Sequence, residues 1–227
     1  MSEVAMPPTS LDALLDQVSD GVWEEGLRVL QGTKLAPTEA EHVSILLRLM
    51  APPLGSVILD AGCGFGEVAR LMRAERPDLA FVLLNRNGTQ LRRAPRGSGF
   101  TSIQADMGAV PLADGSVGGA MFLYALCHVD PLAALSEAAR VVRPGGFCFI
   151  FDFVRTGGDN ALMERHLHAR AHSAGDFMAA CEAAGWHDVR AAPAPGDDGT
   201  FRALFADQAL FDAIFAEVRP VLWRLTK

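Results

Sequence analysis

The 227-residue chain is poor in cysteine, in positive charge and in long uncharged runs. Its four cysteines are Cys63, Cys127, Cys148 and Cys181, none paired as CxxC and three set among apolar neighbours. They read as buried free thiols in a reducing cytoplasm. Lys and Arg number 20 against 27 Asp and Glu, a formal charge of -7. Nucleic-acid binders draw most of their affinity from neutralising phosphates, so this balance argues against one. The first cationic side chain is Arg28, and no positive segment runs into an apolar one as a secretory signal requires. The longest uncharged stretch, Gly115 to Val129, is broken by three glycines and falls short of a spanning helix. The expectation is a cytoplasmic protein with neither a membrane nor a nucleic acid as partner.

What is present is a core. Hydrophobic residues make up 50% and charged residues 21%, which excludes global disorder. At roughly 150 residues per domain, the length fits one large domain, or one domain with a small cap. Residues 10–51 read as helices, with Ser10 and Thr38 as N-caps. From position 56 short apolar runs alternate with helical segments: SVILD, LAFVLL, FTSIQ, GGAMFLY and FCFIFDF are strand candidates. Apolar strands alternating with helices are what a parallel sheet covered on both faces requires, so the fold class is α/β, doubly wound. Later come a helix over DFMAACEAAGW, a strand over HDVRAAP, a weaker strand over TFRALF, and a Phe-rich helix from about Ala206 interrupted by Pro220.

The first strand ends in Asp60 and runs into Ala61-Gly62-Cys63-Gly64-Phe65-Gly66 before a helix. Alternate glycines let backbone pass close under a ligand and turn into a helix N-terminus. A dinucleotide needs its third glycine three positions after the second, and Glu67 stands there instead. A carboxylate at that place repels a pyrophosphate, while Asp60 suits a cationic ligand. NAD(P) is disfavoured.

This D-x-G-x-G-x-G loop resembles the first motif of the class I S-adenosylmethionine (SAM)-dependent methyltransferases. Gln104-Ala105-Asp106-Met107 resembles their adenine-binding motif, VPLADGSVGGAMFLYALCHVD their fourth-strand stretch, and AARVVRPGGFCFIFD their fifth. The resemblance implies a Rossmann-like, mainly parallel sheet of seven strands, a helical cap over 1–51 and a SAM-binding domain over 52–227. It implies SAM as cofactor, held by Asp60, Ala61, Gly62, Cys63, Gly64, Gly66, Ala105, Asp106 and Met107. The family usually ends its second strand in an acidic residue that takes both ribose hydroxyls; this chain has Asn85, with Arg86 beside it as a cofactor cover. On this reading Asn85→Asp tightens SAM binding, unless Asn85 merely starts a turn.

Methyl transfer is an in-line displacement in which the protein holds the acceptor and takes its proton. His128 is the candidate base, with Tyr124 as a substrate donor or simply the end of the strand. His166, His168 and His172 invite a metal reading, with His168 and His172 at helical i,i+4 spacing, but no carboxylate or cysteine completes a set and no metal is expected. Phe211, Ile214, Phe215 and Val218 follow helical spacing and pack a core or line an apolar pocket. Trp23, in GVWEEGLRVL, belongs to the cap that small-molecule members close over SAM. With no Asn-Pro-Pro-aromatic motif after the fourth strand, the expected partner is a small, partly apolar metabolite; a homodimer is left open. Two alternatives stay open: a SAM-fold protein catalysing a cyclisation or rearrangement, and a non-catalytic partner subunit.

Overall fold

Alternating strands and helices begin at Val57, where the sequence pattern turns from helical spacing to continuous apolar runs. The structure, a computed structural model, describes residues 10–24, 34–194 and 199–227. Two helices precede the sheet, α1 (Leu11–Glu24) and α2 (Glu39–Met50). Ser10 Oγ accepts from Ala13 N at 3.2 Å. Thr38 Oγ1 accepts from Glu41 N at 3.2 Å and donates to the Glu41 carboxylate at 2.7 Å, which fixes the start of α2. The Trp23 side chain and most of GVWEEGLRVL lie outside the described residues.

Then follow β1 (Val57–Ala61), α3 (Glu67–Glu75), β2 (Ala80–Asn85), α4 (Gly88–Arg92), β3 (Phe100–Gln104) and β4 (Val117–Leu123). A 3-10 turn over Leu126–His128 leads to α5 (Pro131–Val141), β5 (Val142–Arg155), α6 (Ala161–Leu167), β6 (His172–Ser173) and α7 (Ala174–Ala183). The chain closes with β7 (His187–Pro193), α8 (Gly199–Arg202), α9 (Gln208–Phe215) and β8 (Val218–Thr226). The sheet order is β3-β2-β1-β4-β5-β8-β7, with two-residue β6 attached to the end of β5. Neighbours are parallel except where β8 inserts antiparallel between β5 and β7. The doubly wound, mainly parallel seven-strand path is thus present.

Residues alternate between the two faces, as strand geometry demands. Ile58, Phe81, Met121 and Phe149 pack with Val43, Leu46 and Met72, from α2 and α3. Leu59, Leu84, Phe122 and Ile150 pack with Leu135, Ala138 and Cys181, from α5 and α7. The 1–51 segment therefore divides: α2 is part of the sheet-covering layer, and α1 alone lies outside both clusters. None of the described helices is long and apolar enough to cross a membrane.

Three expectations change here. TFRALF is not a strand: its start lies in α8 and its end in a turn. The Phe-rich helix stops at Phe215, and Val218, expected on its apolar face, opens β8. His168 and His172 share no helix, because α6 ends at Leu167 and His168 caps it with φ 47° while His172 starts β6. Among the described residues no three His, Cys, Asp or Glu side chains gather as a metal site.

Candidate active site at the ends of β1, β2 and β4

The order reverses between β1 and β4, and a crevice opens at the carboxyl ends of strands flanking such a point. The glycine loop sits there. Gly62 N and Cys63 N both donate to Leu84 O, at 2.8 and 3.0 Å, which ties the loop to β2. Gly62, Gly64 and Gly66 have φ of 82°, 55° and 69°, the left-handed region that disfavours side chains. They differ in what surrounds them. A Cβ at Gly62 would lie 2.6 Å from Ala125 Cβ, and one at Gly66 would lie 2.8 Å from Pro95 Cδ. A Cβ at Gly64 would meet no atom within 4 Å. Protein packing demands the first and third glycines; at Gly64 the bare backbone faces open space. Glu67 opens α3 and pairs with Arg70 at 2.6 Å.

Asp60 precedes the loop, buried on β1. Desolvation raises its carboxyl to about 7. Cys63 beside it is a partly buried thiol pushed up by burial and by Asp60's charge. Ala61, fully inside the core, carries the chain from the strand into the loop.

Asn85 ends β2 and is engaged on every side. Its amide donates to Gly64 O at 3.1 Å and to Gln90 Oε1 at 3.0 Å, and its carbonyl accepts from Asn87 N at 3.0 Å. It is at once the turn residue and the clip that holds the central glycine, with one lone pair remaining on Oδ1. The expected benefit of Asn85→Asp is therefore reversed. A carboxylate would set an oxygen against Gly64 O and Gln90 Oε1, and Gln90 is held in place by donating to Ser19 Oγ at 3.1 Å. Arg86 does not compensate, since it pairs with Asp12 of α1 at 3.1 Å. We expect Asn85→Asp to lose about 1–3 kcal/mol of stability, the cost of unsatisfied buried groups, and to bind SAM more weakly; denaturant melts and titration calorimetry check both, and tighter binding would refute the clip.

The third segment approaches from β3. Ala105 N donates to Asn85 O at 3.2 Å. Asp106 is exposed, with Oδ1 accepting from Gly108 N at 2.8 Å. Met107 is buried under the loop, its Cε 3.2 Å from where a Gly62 Cβ would be. Helix α1 closes this side: besides Arg86–Asp12, Asn87 Nδ2 donates to Asp16 at 3.0 Å.

Across the crevice, β4 is followed by Tyr124, which adopts φ 53° and donates its N–H to Phe151 O at 2.7 Å. Its ring lies 4.7 Å from both Phe151 and Phe153. The 3-10 turn that follows is held by Asp152, buried on β5, whose Oδ2 accepts from Leu126 N at 2.8 Å and Cys127 N at 3.3 Å. Asp152 was not singled out in the sequence, although an acidic residue inside FCFIFDF was the signal. Ala125, which dictates Gly62, gave no signal at all. His128 Nδ1 lies 3.0 Å from His168 O. A carbonyl only accepts, so Nδ1 carries the proton and the lone pair rests on Nε2. Burial holds the imidazole below its ordinary range, partly opposed by the His168 carbonyl and Asp152's charge.

A family model described as a methyltransferase domain matches residues 59–150, from β1 through most of β5. An O-methyltransferase from Pyrenophora dematioidea is 32% identical over 179 residues, 70% of this chain and 66% of that protein. The chain belongs to the class I SAM-dependent methyltransferases, and SAM is the cofactor of that membership. Across three curated relatives the match spans 35% to 66% of their own length. Two solved structures share the fold. A geranyl diphosphate C-methyltransferase from Streptomyces coelicolor has a TM-score of 0.77 at 14% identity, covering 96% of this chain and 99% of that one. The (4+2)-cyclase SpnF has a TM-score of 0.75 at 14% identity, with 98% of each chain covered. The chain thus shares its architecture with proteins named for different reactions.

Proposed function

We propose that the protein transfers a methyl group from SAM to a hydroxyl of a small, partly apolar metabolite in a biosynthetic pathway. The observation that carries the reading is Gly64, whose missing side chain no protein atom requires. Around it, the bare loop from Ala61 to Gly66 would hold the amino-acid part, Asp60 would supply negative charge behind the loop, and the remaining lone pair of Asn85 Oδ1 would accept from the ribose. Asp106 would accept from the adenine amine, and Met107 would form the floor. Arg86, tied to α1, holds that helix over the rim. Bound SAM supplies a methyl already activated on a sulfonium.

The chain's own task is to place the acceptor and take its proton. His128 is built for the second part: the His168 carbonyl fixes the tautomer, and Nε2 takes a proton from the acceptor hydroxyl. Acceptor binding falls to Tyr124 and Phe153, which continue into an aromatic wall of Phe215 at 5.1 Å and Phe201 beyond it at 5.5 Å. Support comes from the relative named an O-methyltransferase. The cytoplasmic location rests on four free thiols.

The test has two parts. At a hundredfold excess over its dissociation constant, SAM should stabilise the protein by about 2.7 kcal/mol, while NADP gives no shift. A shift with NADP alone overturns the cofactor reading. His128→Gln should then lower kcat by about 10² or more, the usual worth of a general base, with SAM affinity unchanged. Because burial lowers the imidazole, wild-type kcat at saturating SAM should fall only when the pH drops below the ordinary histidine range. A turnover product without an added methyl would return the cyclisation reading.

A further inference from the structure

Beyond the crevice, at the far end of β5, lies a cavity of about 440 Å³. It is lined by charged groups, among them Arg155, Glu164, Arg170, His172 and Asp176. Its size is that of a small-molecule site rather than of a water pocket. Most of its polar groups are engaged. Arg170 pairs with Glu164 at 2.8 Å, Asp176 accepts from the Ser173 hydroxyl at 2.7 Å, and Asp159 accepts from Ala161 N at 2.8 Å.

Two atoms are not. Arg155 Nε and His172 Nε2 are buried, and among the described residues neither has a hydrogen-bond partner. The strand pairing brings them to neighbouring positions, with Val154 opposite His172 and Arg155 opposite Ser173. Arg155 spends one other nitrogen on Gly158 O at 2.7 Å and forms no ion pair among the described residues. A buried guanidinium N–H left unpaired costs about 1–3 kcal/mol or more, and native proteins keep such groups for a reason.

We infer that this cavity is an oxyanion subsite in which Arg155 and His172 receive a phosphate or carboxylate group carried by a small molecule. An oxyanion is acceptor-only, and it satisfies both nitrogens at once. Burial keeps the imidazole below its ordinary value, so at neutral pH it offers one N–H rather than a charge. The acidic groups on the wall, already bonded, disfavour a bulky polyanion and select a compact one. The site is separate from the SAM crevice yet joined to it. Between them runs the segment 168–170, whose His168 O holds His128 and whose Arg170 N donates to Cys127 O at 2.6 Å. The inference does not depend on methyl transfer.

Inorganic phosphate, pyrophosphate and succinate, at matched ionic strength, are the probes for calorimetry and thermal melts of the full chain. At least one should bind wild type at low millimolar concentration, and binding should weaken tenfold or more in Arg155→Gln. His172→Gln, a milder change in the same cavity, should weaken the same probe, and SAM should bind all three proteins alike. Phosphate or pyrophosphate binding identifies a phosphorylated ligand, and succinate binding a carboxylate. No binding of any probe to wild type overturns the subsite. So does binding to both variants as tight as to wild type.

Discussion

Gly64→Val is expected to abolish SAM binding while the protein without ligand keeps its fold. Gly62→Ala is expected to do the opposite first, unfolding the protein more easily before any question of ligand arises. Both positions have positive φ, so both substitutions carry the left-handed cost of about 1–2 kcal/mol, which a domain stable by about 5–15 kcal/mol survives. At Gly62 a further clash is added, since the new Cβ would lie 2.6 Å from Ala125 Cβ and 3.2 Å from Met107 Cε. Overpacking of this kind costs about 1–3 kcal/mol more. At Gly64 nothing in the protein is struck, so the whole steric consequence falls on a ligand. Melting temperature and calorimetric affinity, measured together, separate the two. Should Gly64→Val distort the loop, Gly64→Ala carries the same expectation with a smaller loss of affinity. A folded Gly64 variant that binds SAM as wild type does would remove the loop from the cofactor site.

Local chemistry made the first strand and its glycine loop legible. The run from Val57 to Ala61 and the helix start at Glu67 are set by neighbours in sequence, and the alternate glycines show as a spacing although Ala125 and Pro95 are what demand two of them. What escaped was decided across the sheet. Phe211, Ile214 and Phe215 keep helical spacing, and Val218 continues it, so β8 reads as helix until its partners are known. Pro220 strengthens that misreading, because proline is rare inside a sheet. Yet Val218–Thr226 pairs with β5 from Arg155 down to Phe147, and Pro220 still accepts from Ala194 N at 3.2 Å. Asn85 was legible as an oddity but not as a clip, since Gly64 lies 21 positions away and the bond joins the end of β2 to the glycine loop. Ala125 is the extreme case: an ordinary residue whose only distinction is to stand where Gly62 can have no side chain.

Asp60 leads to the second large effect, a pH dependence of opposite sign for folding and for binding. Its folded value of about 7 stands above the ordinary 3.8 of an aspartate, so the folded state holds a proton that the unfolded chain releases. Stability from this group is fully present below about pH 4 and is lost as the pH rises through about 7. At 1.36 kcal/mol per unit, the loss between pH 5 and pH 8 comes to about 2–3 kcal/mol. Asp60→Asn keeps the shape and removes the titration, so it should stand more stable than wild type at pH 8, by a margin that shrinks on going to pH 5. Buried histidines such as His42, held down at about 4, and His128 titrate in both proteins and cancel in the comparison. Binding runs the other way. A cationic ligand favours the ionised carboxylate, so wild type must give up the proton to bind, and affinity should fall roughly tenfold from pH 8 to pH 6. The asparagine variant should bind SAM more weakly at pH 8 and lose that dependence on pH. Calorimetry at three pH values, beside denaturant melts of both proteins, reads the two slopes. Parallel slopes for the two proteins would mean that Asp60 stays ionised in the free enzyme and that its burial is compensated.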